Sequence, residues 1–164
     1  MINEDNQKVN KDRNHGNNTK NSEKSTEDLS ILGSEVREPV NKVECFQAPE
    51  DIDWISFETD ELLSNCPVTG QPDKYDLELI YLPQDKCIES KSLKLYLWKF
   101  RDEDHFAENL AGIIAEDIFE VCEPKKVIVR LYQNRRGGLE LSTQASKAID
   151  GYENVFPERC ISES

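Results

Sequence analysis

The chain has 164 residues, 37% hydrophobic and 32% charged, with a formal net charge of -13, which fits one domain plus an extension outside its core. So acidic a surface argues against wrapping nucleic acid, which needs a basic face to neutralise phosphates, but still permits a local group of cations to hold an anionic ligand. The longest apolar run, Leu110 to Ala115, is too short to cross a bilayer and Met1 to Lys24 hold no apolar stretch for a secretory signal, so a soluble cytoplasmic protein is expected.

Residues 1–28 are rich in Asn, Lys, Asp, Glu and Ser without apolar periodicity and read as a disordered extension. The folded domain is expected over residues 29–145, with order starting near the apolar patch Leu29 to Gly33, and a polar tail over 146–164. Trp54 to Glu58 reads as a short strand leading towards Cys66. Tyr75, Leu77, Leu79 and Tyr81 alternate with Asp76, Glu78 and Ile80, the pattern of a half-buried strand that Pro83 stops. Ser90 to Phe100 is ambiguous: Leu93, Leu95 and Leu97 alternate as in a strand, while Leu93, Tyr96, Leu97 and Phe100 make a helical stripe. Phe106 to Cys122 is helical by its spacing, with Pro124 just beyond its end. Lys126 to Asn134 returns to strand character, Arg135 to Gly138 turns, and Leu139 to Thr143 pairs back as a hairpin. The order predicts an α+β fold, ββααββ, with two helices on one face of a four-stranded antiparallel sheet. Its open edges invite assembly with further copies.

Five cysteines, Cys45, Cys66, Cys87, Cys122 and Cys160, stand at irregular spacing without a CxxC pair, and His15 and His105 lie near no cysteine cluster. That ligand arithmetic predicts no zinc site, and a reducing compartment would leave the thiols free. The segment Cys66-Pro-Val-Thr-Gly-Gln-Pro-Asp73 is the first feature that core packing does not explain. Its glycine and prolines predict an ordered loop, able to present a thiol beside a carboxyl group. Such a pair suits covalent addition to an electrophilic carbon, with the acid supplying a proton to the atom that gains charge. The plainer alternative is a buried filler cysteine and a turn aspartate. If Ser90 opens a helix, Lys91 and Lys94 share a face near free backbone N–H groups, an arrangement for dinucleotide phosphates or simply a solvated basic face. Glu108, at the entry to the second helix, is placed to accept hydrogen bonds from a guanine-like ring or to satisfy the helix dipole.

CPVTGQPD, IESKSLKLYLWKF, FAE and RRGG, in this order and spacing, resemble the NADPH-dependent 7-cyano-7-deazaguanine reductases, the QueF family of single-module type. The resemblance runs from about Leu29 to Thr143. It implies the tunnelling fold shared with GTP cyclohydrolase I, helix over Ser90 to Phe100, and a homo-oligomer whose sheets close into barrels with active sites between subunits. It implies reduction of 7-cyano-7-deazaguanine to its aminomethyl form in queuosine biosynthesis: Cys66 adds to the nitrile to form a thioimide, Asp73 gives the proton, and NADPH supplies two hydrides. Ile88, Glu89 and Ser90 correspond to a substrate-contacting stretch and Glu108 to the carboxylate that grips the deazaguanine; Lys91, Lys94 and Arg136 become candidates for the NADPH phosphates. The chain departs from the family pattern at Ala107, where a histidine normally precedes the glutamate. Two other readings stay open: a QueF-like amidinotransferase of archaeosine synthesis, whose members typically lack the ESKSLK element, and a non-reducing deazaguanine-binding homologue, which Ala107 motivates.

Overall fold

The computed structural model describes residues 29–157; the extension expected over residues 1–28, with His15, and the end of the expected tail, with Cys160, lie outside the described residues. In chain order the elements are β1 (Cys45–Gln47), β2 (Ile55–Asn65), β3 (Pro72–Leu82), β4 (Lys86–Ile88), α1 (Ser90–Trp98), a short 3-10 helix (Lys99–Asp102), α2 (Ala107–Cys122), β5 (Lys126–Arg136) and β6 (Leu139–Ala148). Strands β2, β3, β5 and β6 form one antiparallel sheet in that spatial order, and β1 pairs separately with β4. The last strand runs three residues past 145, the expected domain end.

The alternation in β3 does what its period dictates. Tyr75, Leu77, Leu79 and Tyr81 are at most 3% exposed, and Val127, Val129 and Leu131 of β5 are fully buried beside them. Leu93, Tyr96 and Phe100 come down from α1 and the 3-10 turn, and Leu110, Ile114 and Ile118 from α2, so both helices cover this one face. Burying each large aliphatic side chain contributes about 1.5–3 kcal/mol. The Tyr96 hydroxyl donates to Asp117 at 2.7 Å and ties the helices to each other. Phe106 departs from its expected place in the α2 stripe: it is the residue before the helix and is 55% exposed.

α1 starts at Ser90 because Glu89 caps it, its carboxylate accepting from the Lys91 and Ser92 amides at 2.8 and 2.7 Å. α2 stops where Glu123 adopts a left-handed conformation, just before Pro124. On the back of the sheet, Ile80 and Ile128 pair across β3 and β5 and are also buried. Here the segment after β6 folds back: Lys126, 1% exposed, donates to the Glu153 carbonyl at 2.6 Å and lies under the Phe156 ring.

Two bulges change the phase of the sheet at one end. Between Thr59 and Leu62 strand β2 spends three residues against two of β3, and between Gln133 and Arg136 strand β5 does the same against β6. An extra residue flips the side-chain alternation beyond it. Ile55, Phe57 and Thr59 face the helices before the first bulge; after it Leu62 and Ser64 do, opposite Tyr75 and Asp73, and Cys66 continues that phase. The second bulge turns Arg136 away from the back face, where Arg130 pairs with Glu78 at 2.8 Å. Both strands thus deliver a side chain to the face that carries Asp73. Among the described residues, no helix is long and apolar enough to cross a membrane.

Candidate active site

Cys66 leaves the end of β2 into a tight turn. Its amide donates to the Gln71 carbonyl and its carbonyl accepts from the Gly70 amide, both at 2.8 Å. Gly70 has a φ of 64°, a left-handed conformation that glycine adopts without strain. This closure points the turn back at the sulfur. The half-buried thiol is pulled down to about 7, first by the Thr69 hydroxyl, then by the Thr69 and Val68 amides, against a smaller desolvation that raises it, with the Arg136 guanidinium adding to the pull. Each of these donors stabilises a thiolate more than a thiol. Thr69 and the Val68 amide are functional groups that sequence reasoning missed. Their signal was the glycine four residues after the cysteine, which demands a turn whose amides look inward.

Asp73 lies on β3, cross-strand from Ser64 and 4% exposed. Its carboxylate is paired with Arg136 Nη1, and Arg136 Nη2 donates to Gln71 Oε1 at 2.9 Å. Cys66, Asp73 and Arg136 therefore form one cluster, although Arg136 was expected at a phosphate. Glu108 belongs to the same end of the molecule: it is exposed in the first turn of α2, just after a segment in which Asn65 donates to the Glu103 carbonyl at 2.9 Å and accepts from the His105 amide at 3.0 Å. Ala107 is buried beneath that turn. His105 packs edge-on against Phe100, and its Nε2 shares a 2.8 Å hydrogen bond with Glu103.

Ile88, Glu89 and Ser90 lie elsewhere. The Ile88 amide donates to the Tyr81 hydroxyl at 3.0 Å, which anchors the stretch at the opposite end of β3. Tyr81 and Asp73 are eight positions apart on that strand, roughly 26 Å at about 3.3 Å per residue, so the stretch and the thiol sit at opposite ends of β3. One subunit does not bring the two halves together. The amides expected to be free at the start of α1 are taken by the Glu89 carboxylate. Lys91 is also engaged, donating to the carbonyls of Ile31 and Ser34. Cys87 and Cys122 sit at this far end too, Cys122 donating to the Lys86 carbonyl at 3.2 Å, so neither neighbours Cys66.

Between β2 and α1 runs a groove of about 620 Å³, with Phe57, Leu62 and Leu63 on the strand side and Ser90, Lys94, Trp98 and Arg101 on the helix side. Lys94 and Arg101 make no ion pair among the described residues, whereas Glu58 and Glu61 lie across from them on β2. Lys94 and Arg101, the latter 5.9 Å over the centre of the half-exposed Trp98 ring, suit the phosphates of a dinucleotide.

Comparison with known proteins points the same way as the turn and its cluster. The family described as QueF-like protein matches residues 72–150. An NADPH-dependent 7-cyano-7-deazaguanine reductase of Syntrophus aciditrophicus is 40% identical over 126 residues, which cover 76% of this chain and 89% of that one. A protein of the same name from Bacteroides fragilis is 38% identical over 115 residues, covering 69% and 76%. Among solved structures, the apo archaeosine synthase QueF-Like aligns with a TM-score of 0.56 at 20% identity, over 59% of this chain and 95% of that one; the likeness establishes the shared tunnelling fold. With that fold and that degree of identity over most of both chains, this protein belongs to the QueF-like family of NADPH-dependent 7-cyano-7-deazaguanine reductases.

Proposed function

We propose that this protein reduces the nitrile of 7-cyano-7-deazaguanine to the primary amine, with NADPH as reductant and Cys66 as the nucleophile. The observation that carries the reading is a thiol, turned in by the Thr69 loop, that shares the Arg136 guanidinium with the buried Asp73 carboxylate. The Cys66 thiolate attacks the nitrile carbon; a carbon–sulfur bond forms as one carbon–nitrogen π bond opens onto nitrogen. Asp73 takes the proton of the thiol and passes it to that nitrogen, so one proton moves from sulfur to nitrogen and the product is a neutral thioimide. Two NADPH molecules, bound one after the other, would each supply one hydride to that carbon; the carbon–sulfur bond breaks between them, and the remaining protons come from solvent. The donors that hold the thiolate in the resting turn receive it again when the sulfur leaves. Glu108 accepts from the ring's donor edge. Lys94 and Arg101 hold the phosphates, with Arg101 carried over the Trp98 ring. The far closer identity to the reductases than to the archaeosine synthase favours reduction over ammonia transfer. A reducing cytoplasm, which keeps thiols unpaired, suits this chemistry.

Because Ile88, Glu89 and Ser90 stand far from Cys66 in one subunit, the working site takes the thiol from one copy and this stretch from another, joined across the open β2 and β6 edges. Subunit mixing tests this. Cys66→Ala and Ser90→Tyr are each expected to be inactive alone. Co-assembled in equal amounts they should recover about a quarter of the wild-type rate, the share of interfaces that pairs both intact halves. Mixed assemblies with no activity above either parent would contradict a shared site.

A further inference from the structure

Arg136 ends β5 on an even-numbered position, and the even side chains Lys126, Ile128 and Arg130 all lie on the back of the sheet. Without the bulge after Gln133 its guanidinium would join them. Instead it reaches the helix-facing side and meets two residues at once, Asp73 and Gln71. The turn that follows holds it there: Gly137 and Gly138 have φ of 57° and 84°, as a two-residue hairpin needs, and Arg136 pairs with Leu139 across it. Gln71 is the residue whose carbonyl accepts the Cys66 amide, so a bond to its side chain also steadies the turn that carries the sulfur.

Charge gives a second reason for a cation here. A thiolate and a carboxylate gathered around one guanidinium repel each other, and Asp73 is nearly sealed from the water that would screen them. The other titratable groups near the sulfur are Tyr75 of β3, hydrogen-bonded to Ser64 at 3.2 Å, and, at this end of the molecule, Glu103, Asp104 and His105 of the segment beside Asn65, and Glu108 of α2; Lys74 turns to Asp60, and Arg101, whose carbonyl accepts from Asn65, turns its guanidinium to Trp98. Apart from those two cations and His105, which Glu103 engages, these are neutral or acidic. Arg136 is the cation that offsets them.

We propose that Arg136 is a positioning residue for the Cys66–Asp73 pair: its guanidinium bridges the sulfur, the Asp73 carboxylate and the Gln71 side chain, fixing the turn and balancing two adjacent negative groups. The inference rests on Cys66 being the nucleophile, but its test needs neither deazaguanine nor NADPH. Full-length protein is alkylated with iodoacetamide across a pH series and modification is followed at the Cys66 peptide. Wild type should show a midpoint near 7. Arg136→Ala removes the cation and leaves Asp73 as an unbalanced neighbour, so the midpoint should rise by about half a unit to one unit. Arg136→Lys, which keeps the charge without the fork, should recover part of that rise. Adding Asp73→Asn to Arg136→Ala should recover most of it, an outcome that mere loosening of the turn would not produce. If Arg136→Ala does not fold, the neutral, polar Arg136→Gln carries the same expectation. An unchanged midpoint in a folded Arg136→Ala or Arg136→Gln protein overturns the proposal. A wild type that alkylates and shifts as described yet consumes no NADPH would instead fault the reductase reading.

Discussion

Replacing Cys66 by alanine is expected to reduce nitrile-dependent NADPH oxidation to the uncatalysed background, a loss on the order of 10⁴-fold or more. The magnitude follows from what the sulfur does. With no covalent attachment, hydride would have to add directly to an unactivated nitrile, and none of the turn's donors would have a charge to stabilise. Thr69, the Val68 and Thr69 amides and Arg136 all converge on that one atom. The protein itself should survive the change. Cys66 is half-buried in a turn closed by backbone hydrogen bonds that alanine retains, so the stability cost should stay within about 1 kcal/mol. A folded Cys66→Ala protein that still oxidises NADPH in response to the nitrile would remove Cys66 from the mechanism. Stopped assays should be run beside the absorbance trace so that slow background oxidation is not mistaken for turnover.

Asp73→Asn should lower kcat by roughly 10²- to 10⁴-fold, the usual range for losing a positioned proton carrier. Asparagine keeps the shape and can still accept from Arg136, but it cannot take a proton from sulfur and return it to nitrogen. The variant should therefore retain a thiol that iodoacetamide can modify while losing reduction. That split separates a proton-transfer role from a purely structural one. Some stability is lost as well, about 1–3 kcal/mol for a charge-assisted bond to a largely buried carboxylate. Activity within about twofold of wild type would show that another group carries the proton. Among the described residues, His105, one residue beyond the bridge at Asp104, is the histidine at that end of β2.

The sequence reads well where a single period governs and poorly where periods are broken. Tyr75 to Tyr81 and Leu110 to Ile118 obey one period each, and their buried faces are those that spacing predicts. Ser90 to Phe100 could not be settled locally because Leu93 and Leu97 satisfy both templates; the Glu89 carboxylate on two amides decides for helix, and the last turn tightens into a 3-10 helix at Lys99 to Asp102. The three-residue strands β1 and β4 pair only with each other and are too short for any periodic signal. The bulges were illegible for a deeper reason. Asp60 and Glu61, or Asn134 and Arg135, look like any polar strand residues, yet one of each pair is surplus and reverses every side chain after it.

The same limit explains the site. Cys66 and Asp73 were visible as residue types suited to one chemistry, and the fold sets both against Arg136. Arg136 carried no mark of its destination, because its partner on β3 is chosen by the β5 bulge. Lys91 reads as a free surface cation but spends its ammonium on the carbonyls of Ile31 and Ser34. No linear pattern announces a contact made by a segment 57 residues earlier in the chain.

Intact-protein mass spectrometry gives the most direct test of covalent capture at Cys66. Incubated with 7-cyano-7-deazaguanine and no reductant, the wild-type chain should gain the mass of one substrate molecule, mapped by peptide analysis to Cys66, and addition of NADPH should discharge it as the amine. Protein that stays unmodified at saturating nitrile, or that acquires the same mass with alanine at position 66, would contradict the account.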